Sequence, residues 1–325
     1  MKKVNLAIVG ATGMVGTKFV EILQQRNFPV ENIYFFSSGR SAGTEIEFCG
    51  KKYLTEELTE KSFDKPIDIA LFSAGGAISG HYAPILAARG GIAIDNSSRF
   101  RMDPNVPLVV PEVNPEAAAA HKGIIANPNC STIQAVVALA PLHKAFGITR
   151  IIYNTYQAVS GAGMAGVTDL QGGLAGEAPK KFPHPITDNV IPQVDVFTEN
   201  GYTGEEMKMI NETRKIFEAP QLKITATCVR VPVFNGHSES INVEFENIFE
   251  IGEIEKILEK APGVVLQKNE SYPMAITAND TDDVYVGRIR RDEGANAINM
   301  WVVADNLRKG AATNAVQIAE LLLTP

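Results

Sequence analysis

The chain of 325 residues is poor in several residue types, and each shortage removes a class of function. It has three cysteines, Cys49, Cys130 and Cys228, and no two stand at the short spacing of a zinc or redox pair. They read as reduced thiols in a reducing compartment, each acting alone if at all. The five histidines are scattered and form no ligand motif, which argues against a metal site. No apolar run approaches the roughly 18 residues that a spanning helix needs. The apolar start "KVNLAIV" is short and ends at a glycine turn, so it is not read as a signal peptide, and a cytoplasmic protein is expected. Lys and Arg (30) are outnumbered by Asp and Glu (37), giving a net charge of −7. That balance disfavours nucleic acid or an anionic membrane as partner. An anionic substrate needs positive charge gathered locally.

What is present suits a soluble globular protein: 45% hydrophobic residues, 21% charged, and a mean hydropathy near zero. The length suits two domains. "KVNLAIV", "GATGMVG" and "TKFVEILQQRNF" read as strand, tight turn and helix. "ENIYFFSS", "IDIALFSAGG" and "GIAIDNSS" are short apolar strands, with "ISGHYAPILAARGG" a helix between the last two, and Gly123 to Ala126 offers a further strand. Strands alternating with helices predict a parallel, doubly wound sheet with its ligand at the strands' carboxyl ends. Beyond about residue 145 the alternation in "ITRIIYNTYQAVS", "QLKITATCVRVPV" and "ESINVEFE" predicts a mixed or antiparallel sheet. Ser160 to Asp195 is rich in Gly and Pro with little periodicity and reads as an ordered arm, lid or interface. "GEIEKILEKAPG" reads as a surface helix, and "AATNAVQIAELLL" as a terminal helix that returns to the first domain.

Three constellations carry chemistry. Gly10, Gly13 and Gly16 follow a strand and open a helix, where glycine lets backbone amides approach a pyrophosphate; a glycine turn also forms for steric reasons alone. After the second strand, where an NAD site places an acid, stand Ser37, Ser38, Gly39, Arg40 and Ser41. Hydroxyls and a guanidinium suit a 2′-phosphate, which favours NADP, although an arginine in a loop can simply be solvated. In "ANPNCSTIQAVVALAPL", Cys130 opens a helix whose dipole and whose amides at Ser131 and Thr132 can stabilise a thiolate and then an oxyanion. A lone cysteine is more often buried and structural, the reading taken for Cys49 and Cys228. In "CVRVPVFNGHSE", Arg230 and His237 offer a two-point carboxylate clamp and a general acid/base; each alone is more often a surface residue.

Taken in order, "GATGMVG", "SSGRSAG", "DNSSRFRM", "NPNCSTIQ", "TYQAVSGAG", "EEMKM", "CVRVPVFNGHSE" and "NLRKGAATN" closely resemble the aspartate-semialdehyde dehydrogenase family over essentially the whole chain. The resemblance implies an α/β protein. A Rossmann-type doubly wound domain is expected over 1–128 plus 304–325, and a second α+β catalytic and dimerisation domain over 129–303. It implies a phosphorylating, NADP-dependent aldehyde dehydrogenase that reduces aspartyl phosphate to aspartate semialdehyde with release of phosphate. That step serves biosynthesis of lysine, methionine, threonine and isoleucine. It further implies Cys130 as the nucleophile that forms a thioester, His237 as the acid/base that takes the thiol proton, and Gln157 as the group orienting the substrate. Arg230 is implied for the substrate α-carboxylate, Glu205 for its α-amine, and Arg101 and Lys208 for phosphate. Gly10, Thr12, Gly13, Met14, Val15, Ser38, Arg40, Ser41, Ser160, Gly161 and Asn306 fall among the implied NADP contacts. Members are homodimers, some pairing into tetramers. A related reductase of N-acetyl-glutamyl phosphate shares the fold and the cysteine but has no free amine for Glu205. A non-catalytic NADP-binding regulator predicts binding without acylation. A glyceraldehyde-phosphate type is disfavoured by the missing acid after the second strand.

Overall fold

Val4–Val9, apolar but for Asn5, forms a strand (β1) that is buried on both faces, as the central strand of a parallel sheet must be. The computed structural model describes residues 3–323. These fold as two units, one of the residues up to Pro128 with those from Ala311 onward, the other Asn129–Gly310.

In the first unit β1 is followed by α1 (Met14–Gln25), β2 (Val30–Ser37), a hairpin of β3 (Glu45–Phe48) and β4 (Lys51–Leu54), β5 (Glu56–Glu57), β6 (Ile69–Phe72), α2 (Gly76–Ala88), β7 (Ile92–Asp95) and β8 (Ile124–Ala126). The sheet runs β5-β2-β1-β6-β7-β8, every pair parallel. Strand order therefore reverses between β1 and β6, and a crevice opens at their carboxyl ends, the usual place for a dinucleotide. Helix α1 turns Phe19, Ile22 and Leu23 inward. They share a core with Ala315, Val316 and Ile318 of the terminal helix Thr313–Leu321. Truncating a residue as enclosed as Phe19 to alanine costs about 3 to 5 kcal/mol. The terminal helix is tied down by an ion pair from Arg26 to Glu320 (2.7 Å) and by Asn314, whose amide donates to Val109 O and Asn127 Oδ1.

The second unit carries α3 (Cys130–Phe146), β9 (Ile148–Gln157), α4 (Met164–Leu174), α5 (Gly204–Ile216), β10 (Lys223–Arg230), β11 (His237–Phe245), α6 (Ile251–Leu258), β12 (Val264–Leu266), α7 (Ala275–Ala278), β13 (Val284–Arg291) and β14 (Ala297–Ala304), which makes the terminal helix α8. Its sheet runs β10-β9-β11-β14-β13-β12. The outer pairs are parallel and the inner three antiparallel, so the sheet is mixed. Strand β11 alternates strictly between buried and half-buried positions, the mark of a sheet with helices on one face and an open second face.

Three expectations are corrected. Residues 304–310 belong to the second unit, because Asp305 caps the turn after β14 by accepting from Leu307 N and Arg308 N. The Gly-rich arm contains the helix α4, stabilised by burial of Leu170 rather than by propensity. Cys49 is exposed, at φ 50° in the β3–β4 turn, not buried. Among the described residues no helix is long and apolar enough to cross a membrane.

Candidate active site

Cys130 is the first residue of α3, half-buried, with Asn129 as its N-cap. Asn129 Oδ1 accepts from Ser131 N (3.0 Å) and Thr132 N (3.2 Å). The two amides expected to be free for a thiolate or oxyanion are therefore taken. The field of the helix N-terminus remains. Asn129 is itself fixed, its N–H donating to Glu212 Oε2 (2.7 Å) and its amide to Glu205 Oε1 (2.8 Å). Opposite the thiol, Gly310 leaves no room: a Cβ there would stand 3.0 Å from that of Cys130.

Arg230 ends β10 and His237 begins β11, and both are buried. Ala158, just past β9, holds the two together. Its carbonyl accepts from Arg230 Nη1 (2.7 Å) and its N–H donates to His237 Nδ1 (3.0 Å). Among the described residues Arg230 has no carboxylate at ion-pair distance, and burial lowers its pKa against the opposing pull of Glu205 and Cys130. A buried guanidinium in this condition calls for an anion. With Nδ1 accepting, a neutral His237 carries its proton on Nε2, which is buried and makes no protein hydrogen bond. Burial, aided by the Arg230 cation and opposed by Glu205, pulls its pKa down to about 3. Toward Gly161 the neutral ring thus presents a donor. Gly161 borders both groups: a Cβ there would stand 2.8 Å from Arg230 Nη1 and 3.1 Å from His237 Nε2. Only a glycine leaves this space open.

Glu205, on α5, is buried and accepts at Oε1 from Gln157 Nε2 (2.9 Å) and Asn129, and at Oε2 from Lys208 Nζ (3.0 Å). Burial alone raises its pKa, but Lys208, Gln157 and Asn129 outweigh it and hold the carboxyl down at about 2. Lys208 also donates to Asp195 (2.8 Å); although burial works against its charge, the two carboxylates raise its pKa. The cation and the carboxylate expected for phosphate and amine are therefore partners of one another. Ser160 and Asn306, expected at the cofactor, hydrogen-bond each other, and Asn306 Oδ1 accepts from Gly236 N (2.9 Å). They brace the loop that delivers His237.

In the first unit, Gly10 has φ 86°, and a Cβ on it would lie 2.4 Å from Ser73 O, at the ends of β1 and β6. A Cβ on Gly16 would lie 2.2 Å from Gly10 O, so α1 starts hard against the turn. Gly13 caps α1 with no side chain, and Thr12 is exposed while Met14 and Val15 are half-buried. The first-turn amides thus face outward uncapped, a fit for a pyrophosphate. Ser38 and Arg40 are exposed and Ser41 half-buried, and among the described residues Arg40 has no ion-pair partner. A Cβ on Gly39 would lie 2.7 Å from Glu57 Oε1, so an acid from β5 borders this loop, as the linear sequence does not reveal. Gly75, at φ 88°, caps α2 in the same bare manner as Gly13, and "SAGG" after β6 was the available signal for it. Arg101 is buried, donating to Asn127 O (2.9 Å) and Asn96 O (2.8 Å).

A dinucleotide crevice in one unit and a cysteine, arginine and histidine in the other define a semialdehyde dehydrogenase. Accordingly residues 5–121 match the family model for the semialdehyde dehydrogenase NAD binding domain, and 139–309 that for the dimerisation domain. Aspartate-semialdehyde dehydrogenase of Aquifex aeolicus is 54% identical, with 98% of each chain covered, and that of Bacillus subtilis 49%, covering 98% and 97%. The crystal structure of the Vibrio cholerae enzyme II complexed with ASA superposes with a TM-score of 0.97 at 49% identity over 99% of each chain. An NADP complex of the Candida albicans enzyme gives 0.80 at 25% identity, again over 99% of each chain. The chain belongs to the aspartate-semialdehyde dehydrogenase family, a family of oxidoreductases.

Proposed function

We propose that the protein reduces aspartyl phosphate to aspartate semialdehyde and phosphate with NADPH, reversibly, in the cytoplasm, as a step toward lysine, methionine, threonine and isoleucine. The observation that carries this reading is the space at Gly161, walled by a buried guanidinium without a carboxylate and an imidazole N–H without an acceptor.

Arg230 holds the substrate α-carboxylate by a two-point bond. Glu205 holds the α-amine, since Oε2 carries one donor and keeps a lone pair. Cys130 reacts as the thiolate, favoured by the α3 N-terminus and by Arg230, whose charge acts on it. Its sulfur attacks the acyl carbon, the C–O bond to phosphate breaks with its electron pair, and the departing phosphate takes up a proton. Arg101 and Lys208 bind that phosphate, Lys208 by exchanging its outer partner Asp195 for the anion. A dinucleotide held by the glycine turn of the first unit would supply the hydride that reduces the acyl group. Nε2–H of His237 donates to the carbonyl oxygen as negative charge grows there, Gln157 keeps the acyl group in place, and the C–S bond then breaks to return the Cys130 thiolate.

NADP is preferred over NAD through Ser38, Arg40 and Ser41 acting on a 2′-phosphate, against the opposing charge of Glu57. Gly10, Thr12, Gly13, Met14 and Val15 supply the pyrophosphate turn, and Ser160, Gly161 and Asn306 shape the nicotinamide end. The protein acts as a homodimer joined through the open face of the second sheet. That face carries Tyr156 against Trp301 (ring centroids 5.4 Å apart), beside an open depression of about 590 Å³ bordered by exposed Tyr272 and Met274.

Reverse-direction assays with phosphate and NADP test the reading. Aspartate semialdehyde is expected to give phosphate-dependent NADPH, and N-acetyl-glutamate semialdehyde none. Turnover of the second aldehyde alone gives the activity to the related reductase, and tight NADP binding without turnover of either leaves a regulator.

A further inference from the structure

The arm between α4 and α5 has no part in the proposed mechanism, yet it meets Arg230 twice. Toward its far end Ile191 pairs with Arg230 in an antiparallel bridge: Ile191 N donates to Arg230 O (2.9 Å) and Arg230 N to Ile191 O (2.8 Å). Nearer α4, the ring of Phe182 lies over the Arg230 guanidinium, 5.9 Å from its carbon to the ring centroid. The turn that carries Phe182 is gathered by one carboxylate. Asp169, buried on α4, accepts from Lys180 N (2.9 Å) at Oδ1 and from Lys181 N (2.7 Å) and Phe182 N (2.8 Å) at Oδ2. Burial works against this charge, but the three amides outweigh it and hold the carboxyl below its ordinary value.

Val159, Leu170, Ile186 and Ile191 form a small core of their own, and Phe182 packs against it. Gly166 of α4 makes room for the ring: a Cβ there would stand 3.2 Å from its tip and 2.4 Å from Val159 O. A guanidinium donates only in its own plane, so a ring over one face leaves the edge as the way in for an anion. Among the described residues Arg230 spends one side-chain N–H, on Ala158 O, and the rest of that edge is uncommitted. We propose that the arm is a strap closed by Asp169, and that Phe182 sets the plane in which Arg230 meets the substrate α-carboxylate. Phe182 is a positioning residue acting through Arg230, and the proposal rests on Arg230 binding that carboxylate.

A two-point bond requires guanidinium and carboxylate to lie nearly in one plane. Pairing with Ile191 fixes the backbone from which the arginine starts, and the Ala158 carbonyl and the Phe182 ring fix how its end is turned. Losing the ring weakens the hold on substrate and transition state alike, which appears in KM rather than in kcat. Asp169 acts one step further away, by keeping Phe182 in place. Asparagine cannot replace it, because its NH2 group turns a donor toward backbone N–H groups that need an acceptor.

Kinetics with aspartate semialdehyde, phosphate and NADP test the ring. Phe182→Ala should raise the KM for the aldehyde about tenfold with kcat little changed, and Phe182→Tyr, which keeps the ring, should stay close to wild type. In an Arg230→Leu background Phe182→Ala should add nothing, because the group it acts through is gone. Additive losses, a wild-type KM in Phe182→Ala, or an equal rise in Phe182→Tyr overturn the proposal and leave the carboxylate reading standing. An Arg230→Leu protein with wild-type kcat/KM overturns that reading, and the strap's role with it. The closure at Asp169 is tested without turnover. Trypsin should cut Asp169→Asn after Lys180 and Lys181 roughly tenfold faster than wild type, with its other sites unchanged, as peptide masses read it. Unchanged cleavage at these two sites, or faster cleavage throughout the chain, overturns the role of Asp169.

Discussion

The N–H of Ala158 donates to Nδ1 of His237 at 3.0 Å, and that bond leaves Nε2 as the nitrogen beside Gly161. The same residue accepts from Arg230 through its carbonyl, so one peptide fixes the charge clamp and the ring together.

A ring buried in this state makes stability depend on pH. The folded pKa of about 3 lies below the ordinary 6.5, so this contribution is full above 6.5 and is lost as pH falls toward 3. Glu205 acts with the same sign between 4.5 and about 2. At about pH 5 the histidine accounts for a loss on the order of 2 kcal/mol. Denaturant titrations at neutral pH and at about pH 5 should show that loss in wild type and a smaller one in His237→Gln.

Gly161→Ala should lower kcat/KM by about 100-fold through misplacement of the reactants, with the melting temperature nearly unchanged. Its backbone is in an ordinary conformation and only the space beside Arg230 and His237 is filled. Steady-state kinetics beside thermal melts check this; full activity in the alanine variant refutes the placement of substrate there.

Arg230→Leu should cost about 2 to 5 kcal/mol in kcat/KM, because a buried carboxylate is left without its partner. Lysine should recover little, since it cannot offer two parallel bonds. The comparison is made on kcat/KM for aspartate semialdehyde.

Around phosphate, two neighbours should act in opposite directions. Lys208→Met removes the cation and should raise the KM for phosphate about tenfold, whereas Asp195→Asn removes its outer competitor and should lower it. Phosphate saturation curves at fixed aldehyde separate the two.

Arg40→Ala should raise the KM for NADPH roughly 10- to 100-fold, the value of a charge-assisted contact, and leave that for NADH little changed. Glu57→Gln should favour NADPH, because it removes the acid lying against Gly39. Cofactor titrations by fluorescence give both constants.

Local patterns in the chain were readable. Glycine at 10, 13 and 16 after a run of apolar residues specified β1, the turn and α1, and Asn129 before an apolar segment marked the start of α3. That the cap occupies the amides of Ser131 and Thr132 also follows from an asparagine at this position, but counting donors requires the geometry. Helix α5 escaped the periodicity reading although its capping box, Thr203 with Glu206, stands in the sequence. Helix α4 was hidden by its glycines, whose low propensity is overridden by packing. The approach of Glu57 to Gly39 and the pairing of Glu205 with Gln157 and Asn129 join residues from different elements. Such contacts have no local signature, and they are the ones that set charge and protonation in the site.

The proposed mechanism turns on acylation of Cys130. Aspartyl phosphate incubated with the protein in the absence of NADPH, followed by acid quench and peptide mass spectrometry, reads it most directly. The account predicts one aspartyl group on the peptide containing Cys130, released by hydroxylamine and missing in Cys130→Ser. An unmodified Cys130 peptide, in a protein that still turns over when NADPH is added, would contradict it.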